Sequence, residues 1–156
     1  RNKCGGKNIM AFMKKIGIIW RCANLYRTQK FEPLGINCYQ YSYILNVCAN
    51  PGISQEKLAR AIFIHKSNAA RQLSVLEEKG FIERKPDESD KRSLLVYPTQ
   101  KAVDAVPKIR SVLKDWNDLL FDGFDEKEKE ILEAVTEKLC ERAKEMADKI
   151  GGDGEY

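Results

Sequence analysis

The stretch SQEKLARAIFIHKSNAARQLSVLEEKGFIERKPDESDKRSLLVY, residues 54–97, decides the fold. It follows the turn signal Asn50-Pro51-Gly52, and Ser54 is a good N-cap for a helix running to Ile62. A break at Phe63-Ile64-His65 separates it from a second helix, Lys66 to Lys79, which stops at Gly80 in the C′ position. Leu58, Ile62, Ala69, Leu73 and Leu76 fall at helical spacing, giving each helix one apolar stripe. Beyond Gly80 the apolar period drops to two. Phe81 to Lys85 and Ser93 to Tyr97 read as strands around the polar loop Pro86 to Arg92. Two short helices and a basic hairpin make a winged helix-turn-helix, a shape that sets one helix into a DNA major groove.

The run from Ile64 to Arg84 resembles the recognition helix and first wing strand of MarR-type (multiple antibiotic resistance) transcriptional regulators. Asp90-Lys91-Arg92 is similar to that family's wing-tip Asp-x-Arg, and Thr99 to the threonine that opens its next helix. The resemblance covers roughly residues 10–150. Two departures stand out. Pro98-Thr99-Gln100-Lys101-Ala102 replaces the usual Leu-Thr-x-x-Gly, and Gln72 occupies a position that is apolar in many relatives. The resemblance implies a homodimeric transcriptional regulator, a repressor released by a small aromatic or amphipathic ligand.

Working outward, the remaining chain is helical. Residues 9–30 carry Phe12, Ile16, Ile19, Trp20 and Ala23 at steps of three and four, and Cys38 to Ala49 is apolar nearly all round, as in a central core helix. Thr99 to Phe121 repeats Val103, Val106, Ile109, Leu113, Trp116 and Leu120, with Pro107 either kinking the helix or marking its first turn. Asp125 and Glu128 form a capping box before a last helix to Ile150, whose seam is Leu132, Val135, Leu139 and Met146. The wing core cannot cover three further apolar faces, so the outer helices are expected to interleave with a second copy. The whole chain, 1–156, reads as one domain of mainly α structure with a small β-hairpin wing. Residues 34–98 form the winged part, and 8–32 and 99–150 the dimerising part. Arg1 to Lys7 read as a frayed tail.

Composition limits the alternatives. The net charge of +4 hides an asymmetry: residues 1–33 hold eight basic and one acidic side chain, residues 122–156 six basic and twelve acidic. A basic face with an acidic far end suits a protein that meets phosphate on one side only. Five cysteines without a C-x-x-C pair point to a reducing compartment, and a single histidine, His65, leaves no basis for a metal site or a Cys-His nucleophile. No cofactor is expected. Ile16 to Trp20 is too short for a secretory hydrophobic region. Leu34 to Ile53 lacks charge over twenty residues but is interrupted by Asn, Gln, Ser and Pro, so no membrane span is expected and the location is cytoplasmic.

Candidate functional residues follow from groove chemistry. Ser67, Asn68 and Arg71 lie near the start of the second helix, off its apolar stripe. Arg pairs bidentately with guanine and Asn with adenine, so the three are placed as base readers of double-stranded DNA. Lys57, Arg60 and Lys66 flank them as phosphate contacts. Lys91 and Arg92 project from the wing, where an arginine can enter a narrow minor groove. The resemblance implies that Asp90 orients Arg92. His65 reads as a turn residue and Cys22 as buried or incidental, standing too close to Pro33 to match the peroxide-sensing cysteine of some MarR-type relatives. Trp20, Tyr39, Tyr43 and Trp116 could line a ligand crevice. No catalytic constellation or Gly-rich phosphate loop is present, so the chain is read as a non-enzyme. The rival reading is a winged-helix module that binds protein rather than DNA.

Overall fold

The computed structural model describes residues 6–90 and 93–150. Its elements run α1 (Gly6–Phe31), a 3-10 turn at Glu32–Leu34, α2 (Gln40–Ala49), β1 (Ile53–Ser54), α3 (Gln55–Ala61) and α4 (Lys66–Glu78). The wing strands β2 (Ile82–Pro86) and β3 (Leu94–Pro98) follow, then α5 (Gln100–Leu120) and α6 (Glu126–Ile150). The sheet is antiparallel in the order β1-β3-β2, with Ile53 opposite Val96 and Arg84 also opposite Val96 from the other side.

Each boundary in the decisive stretch has a local cause. Ser54 caps α3 by accepting from the Lys57 N–H at 3.2 Å, satisfying a donor the helix itself cannot. Gly80 follows α4 at φ 74°, a left-handed conformation that costs a glycine nothing. Asp125 and Glu128 exchange their capping bonds at 3.0 and 2.8 Å at the start of α6. α5 covers the expected span, with Pro107 inside it on its exposed side rather than at its first turn. Two details differ from the sequence expectation. A third strand, β1, pairs at the edge of the hairpin. α1 begins at Gly6 rather than Ile9, while residues 1–5 of the expected tail lie outside the described residues.

The core gathers one apolar stripe from every element of the winged part. Leu58 from α3, Ala69, Leu73 and Leu76 from α4, Ile82 and Val96 from the sheet, and Ile44 and Val47 from α2 are buried together. Ala102, Ala105, Ile109 and Val112 bring α5 onto the same cluster, and Phe31 brings the end of α1. α6 is different. Residues 130–146 are all exposed, and the seam residues Leu132, Val135, Leu139 and Met146 retain between 41% and 54% of their surface. Phe12, Ile16, Ile19 and Trp20 are likewise exposed along α1. Val103, Leu119 and Leu120 are exposed on α5 as well, and apolar surface in such quantity, on three helices, exceeds what a monomer ordinarily leaves to water.

Candidate nucleic-acid interface

α4 presents its buried stripe to the core and its opposite face to solvent, and the sequence-predicted readers fall on that outer face. Ser67, Asn68 and Arg71 are all exposed within its first two turns. Among the described residues no carboxylate stands within ion-pair distance of Arg71, whereas Arg60 is held by Glu56 at 2.7 Å on α3. Of the three proposed phosphate contacts, Lys57 and Lys66 are exposed cations, and Lys57 lies close enough to the wing to act electrostatically on Asp87. Arg60 is exposed as well, and its ion pair with Glu56 one turn away is open to solvent and so weak.

His65 has a role that its isolated position in the sequence did not suggest. It is the N-cap of α4: its Nδ1 accepts from the Ser67 N–H at 3.2 Å and lies 2.6 Å from the Ser67 hydroxyl. The hydroxyl of one base-reading candidate is therefore tied into the cap.

The wing is riveted to α4 by Arg84. Its backbone N–H donates to Glu77 Oε1 at 2.9 Å, and its Nε and Nη2 donate to Glu77 Oε2 at 2.9 and 2.6 Å. The same guanidinium reaches Gln55 on α3 and Ser74 on α4, both at 3.2 Å. A planar fork can serve all of these at once, which a lysine could not. In the sequence Arg84 stands out only as part of the resemblance. The signal that could have found its role is an acid and a base seven residues apart across the Gly80 turn. At the tip, Asp87 takes the N–H and hydroxyl of Ser89 at 2.9 and 2.6 Å, and the Ser93 N–H donates to the Asp90 carbonyl at 2.8 Å. Lys91 and Arg92 lie outside the described residues, and with them the expected contact between Asp90 and Arg92.

The side-chain hydrogen bond from Arg84 is the main cause holding the Glu77 carboxyl below its ordinary range, with burial opposing it. A depressed folded-state value stabilises the protein above the ordinary glutamate range, and the contribution is lost as pH falls through the lowered value. Glu77→Gln is therefore expected to lower stability at pH 7, with the difference from the parent protein shrinking as pH falls below the ordinary glutamate range. Urea melts at a series of pH values measure this; parallel curves for the two proteins would refute it.

Along the flank of α4 that carries Asn68 and Gln72 lies a cavity of about 520 Å³, bounded also by α1, the start of α2 and the α3–α4 turn. Trp20, Tyr39 and Tyr43 line it, as expected, together with Phe63 and with Asn68 and Gln72 of α4. Trp116 does not; it packs against Tyr26 with ring centroids 5.3 Å apart, because the α5 stripe turns it toward α1. Buried Arg27 sits under this wall, bonded to the Tyr41 hydroxyl at 2.6 Å and stacked 4.9 Å from the Trp20 ring centre. Cys38 also lines the cavity and is buried, whereas Cys22 and Cys140 are exposed, so of the two readings of Cys22, buried or incidental, the first does not hold. Burial pushes the Cys48 thiol up, away from the reactive thiolate. Among the described residues no group of His, Cys, Asp or Glu is arranged to hold a metal ion, and no helix is long and apolar enough to cross a membrane.

This geometry, an exposed helix face beside a riveted hairpin, defines a winged helix-turn-helix protein. Residues 36–94 match the MarR family model. The chain is 33% identical over 127 residues to the uncharacterized HTH-type transcriptional regulator YybA of Bacillus subtilis strain 168, covering 81% of this chain and 85% of that protein. It is also similar to the crystal structure of the transcriptional regulator SlyA, at 32% identity and a TM-score of 0.84, over 89% of this chain and 98% of that one. A MarR family transcriptional regulator from Listeria monocytogenes complexed with a 26-mer DNA superposes with a TM-score of 0.81 at 27% identity, over 92% and 96% of the two chains. The chain belongs to the MarR family, and as such it is a transcriptional regulator and not an enzyme.

Proposed function

We propose that the protein is a cytoplasmic homodimer that binds a near-palindromic operator in double-stranded DNA and acts as a repressor released by a small ligand. The observation that carries the reading is the outer face of α4, where Ser67, Asn68 and Arg71 stand together in solvent beside the exposed cations Lys57 and Lys66. Residues 34–98 would read DNA, and the helical parts 8–32 and 99–150 would pair the two copies. Pairing accounts for the apolar faces left open on α1, α5 and α6, and it sets two recognition helices about 34 Å apart, one DNA turn. Lys91 and Arg92 would serve the flanking minor groove from the wing tip, with Asp90 orienting Arg92. The cavity supports the ligand half of the proposal: Trp20, Tyr39 and Tyr43 offer flat apolar walls to an aromatic or amphipathic molecule, close to the cation of Arg27.

Selection of genomic fragments by the purified protein, read by sequencing, tests this directly. One enriched motif with two-fold symmetry and salt-sensitive affinity is expected. Enrichment no greater than that of a protein lacking the fold would transfer the case to protein binding.

The four described cysteines carry no regulatory role in this reading. Replacing Cys22, Cys38, Cys48 or Cys140 singly with Ser or Ala is expected to leave operator binding and its response to peroxide unchanged. Release at low micromolar peroxide, abolished by one of these changes, would make the protein a redox sensor instead.

A further inference from the structure

Gln72 is half-buried on the flank of α4, and its partner lies in a different element. Gln72 Oε1 accepts from Gln40 Nε2 at 3.2 Å. Gln40, at the first position of α2, is only 1% exposed. Its Oε1 accepts from the Asn37 N–H at 3.1 Å and from Lys79 Nζ at 3.3 Å, and Lys79 also donates to the Gly35 carbonyl at 2.8 Å. One buried carboxamide thus holds α4 at Gln72 and, roughly 10 Å further along its axis, at Lys79.

We infer that Gln40 and Gln72 are positioning residues that set the rotation of the recognition helix about its own axis, and with it base discrimination. The inference rests on the DNA-reading function proposed above. The stripe of Ala69, Leu73 and Leu76 attaches α4 to the core, but apolar burial has little directional preference and tolerates a small roll. Hydrogen bonds do not, because they weaken steeply as the angle departs from linear. A roll of about 20° at the roughly 5–6 Å radius of a helix with its side chains displaces an outer-face group by about 2 Å. That is enough to break a bidentate contact from Arg71 to a base, while a phosphate contact through a long flexible lysine survives. Asn68, one turn before Gln72 and exposed in the same cavity wall, would move with it.

The double variant Gln40→Met/Gln72→Met tests the inference: replacing both partners with unbranched side chains of similar length leaves no orphaned carboxamide between them, while the Asn37 N–H and the Lys79 ammonium lose Gln40 Oε1 as acceptor. Its thermal midpoint is expected below that of the parent, and binding is compared at a temperature where both proteins are folded. Its ratio of affinity for the selected operator over a scrambled duplex is expected to fall about tenfold per half-site, on the scale of one bidentate base contact. Affinity for the scrambled duplex should stay as in the parent. Lys79→Met, at an exposed position, is a second variant that does not depend on core repacking, and it is expected to lower the same ratio in part. If the parent discriminates between the duplexes and both variants discriminate equally well, the positioning role is wrong and DNA reading stands. If the parent itself shows no preference, DNA reading fails and the positioning role falls with it.

Discussion

Arg71→Ala is expected to weaken operator binding by about 1–3 kcal/mol per half-site and to relax preference at a single position of each half-site. The side chain lies on the outer face of α4, one turn beyond Ser67, and carries no ion pair among the described residues, so its donors are available to a guanine edge. The loss should leave binding to a scrambled duplex nearly intact, because base contacts specify while phosphate contacts position. Arg92→Ala, at the wing tip, should show a different pattern of loss. It is expected to weaken all duplexes evenly and to flatten the log–log salt dependence by about 0.9 for each phosphate that is no longer neutralised. Asp90→Ala should give a milder version of the same change. Fluorescence anisotropy on both duplexes at several salt concentrations separates the two patterns. Indifference of both duplexes to both arginines would remove the recognition helix as a DNA reader.

Leu139→Glu is expected to yield a monomer or an unfolded chain, and the parent is expected to sediment at about twice 17.9 kDa. The seam of α6 keeps its apolar residues half open to water within one chain, and a second copy is what would cover them. A carboxylate in the middle of that covered seam would be buried without a partner, at a cost of several kcal/mol. Sedimentation velocity at micromolar concentration decides it. A parent protein that runs as a well-folded monomer would overturn the dimer, whatever the variant does.

The winged part was legible because its signals are local and abrupt. The apolar period changes at Gly80, and Ser54 and Gly80 mark ends that the structure places within a residue of the reading. β1 was not legible, since two residues have no period and Ile53 becomes a strand only through pairing with Val96. The seam of α6 was visible as a heptad, although a stripe cannot say what covers it. Trp116 failed for the same reason: it lies on the right stripe, but which neighbour an aromatic meets is set by how helices cross, and it met Tyr26. Arg84 with Glu77, and Gln40 with Gln72, were invisible as pairs because each joins separate elements. The exposure of Ser67, Asn68 and Arg71 was the easier case, because a helix face is a matter of spacing alone.

The junction at Thr99 has a mechanical consequence. Its N–H donates to the Phe81 carbonyl at 3.0 Å, and its hydroxyl lies 2.7 Å from the Gly80 carbonyl while capping α5 through the Ala102 N–H. The end of the recognition helix and the start of α5 are thereby fastened at one point, with no slack loop between them. α5 has 21 residues and so is about 31 Å long. Tilting such a rod by about 5° at its far end swings the near end by roughly 3 Å, close to one base-pair rise. In the proposed dimer α5 therefore works as a lever with the DNA reader clamped to its short end. A strain too small to disturb the packing between copies would suffice to put the two readers out of step with the double helix.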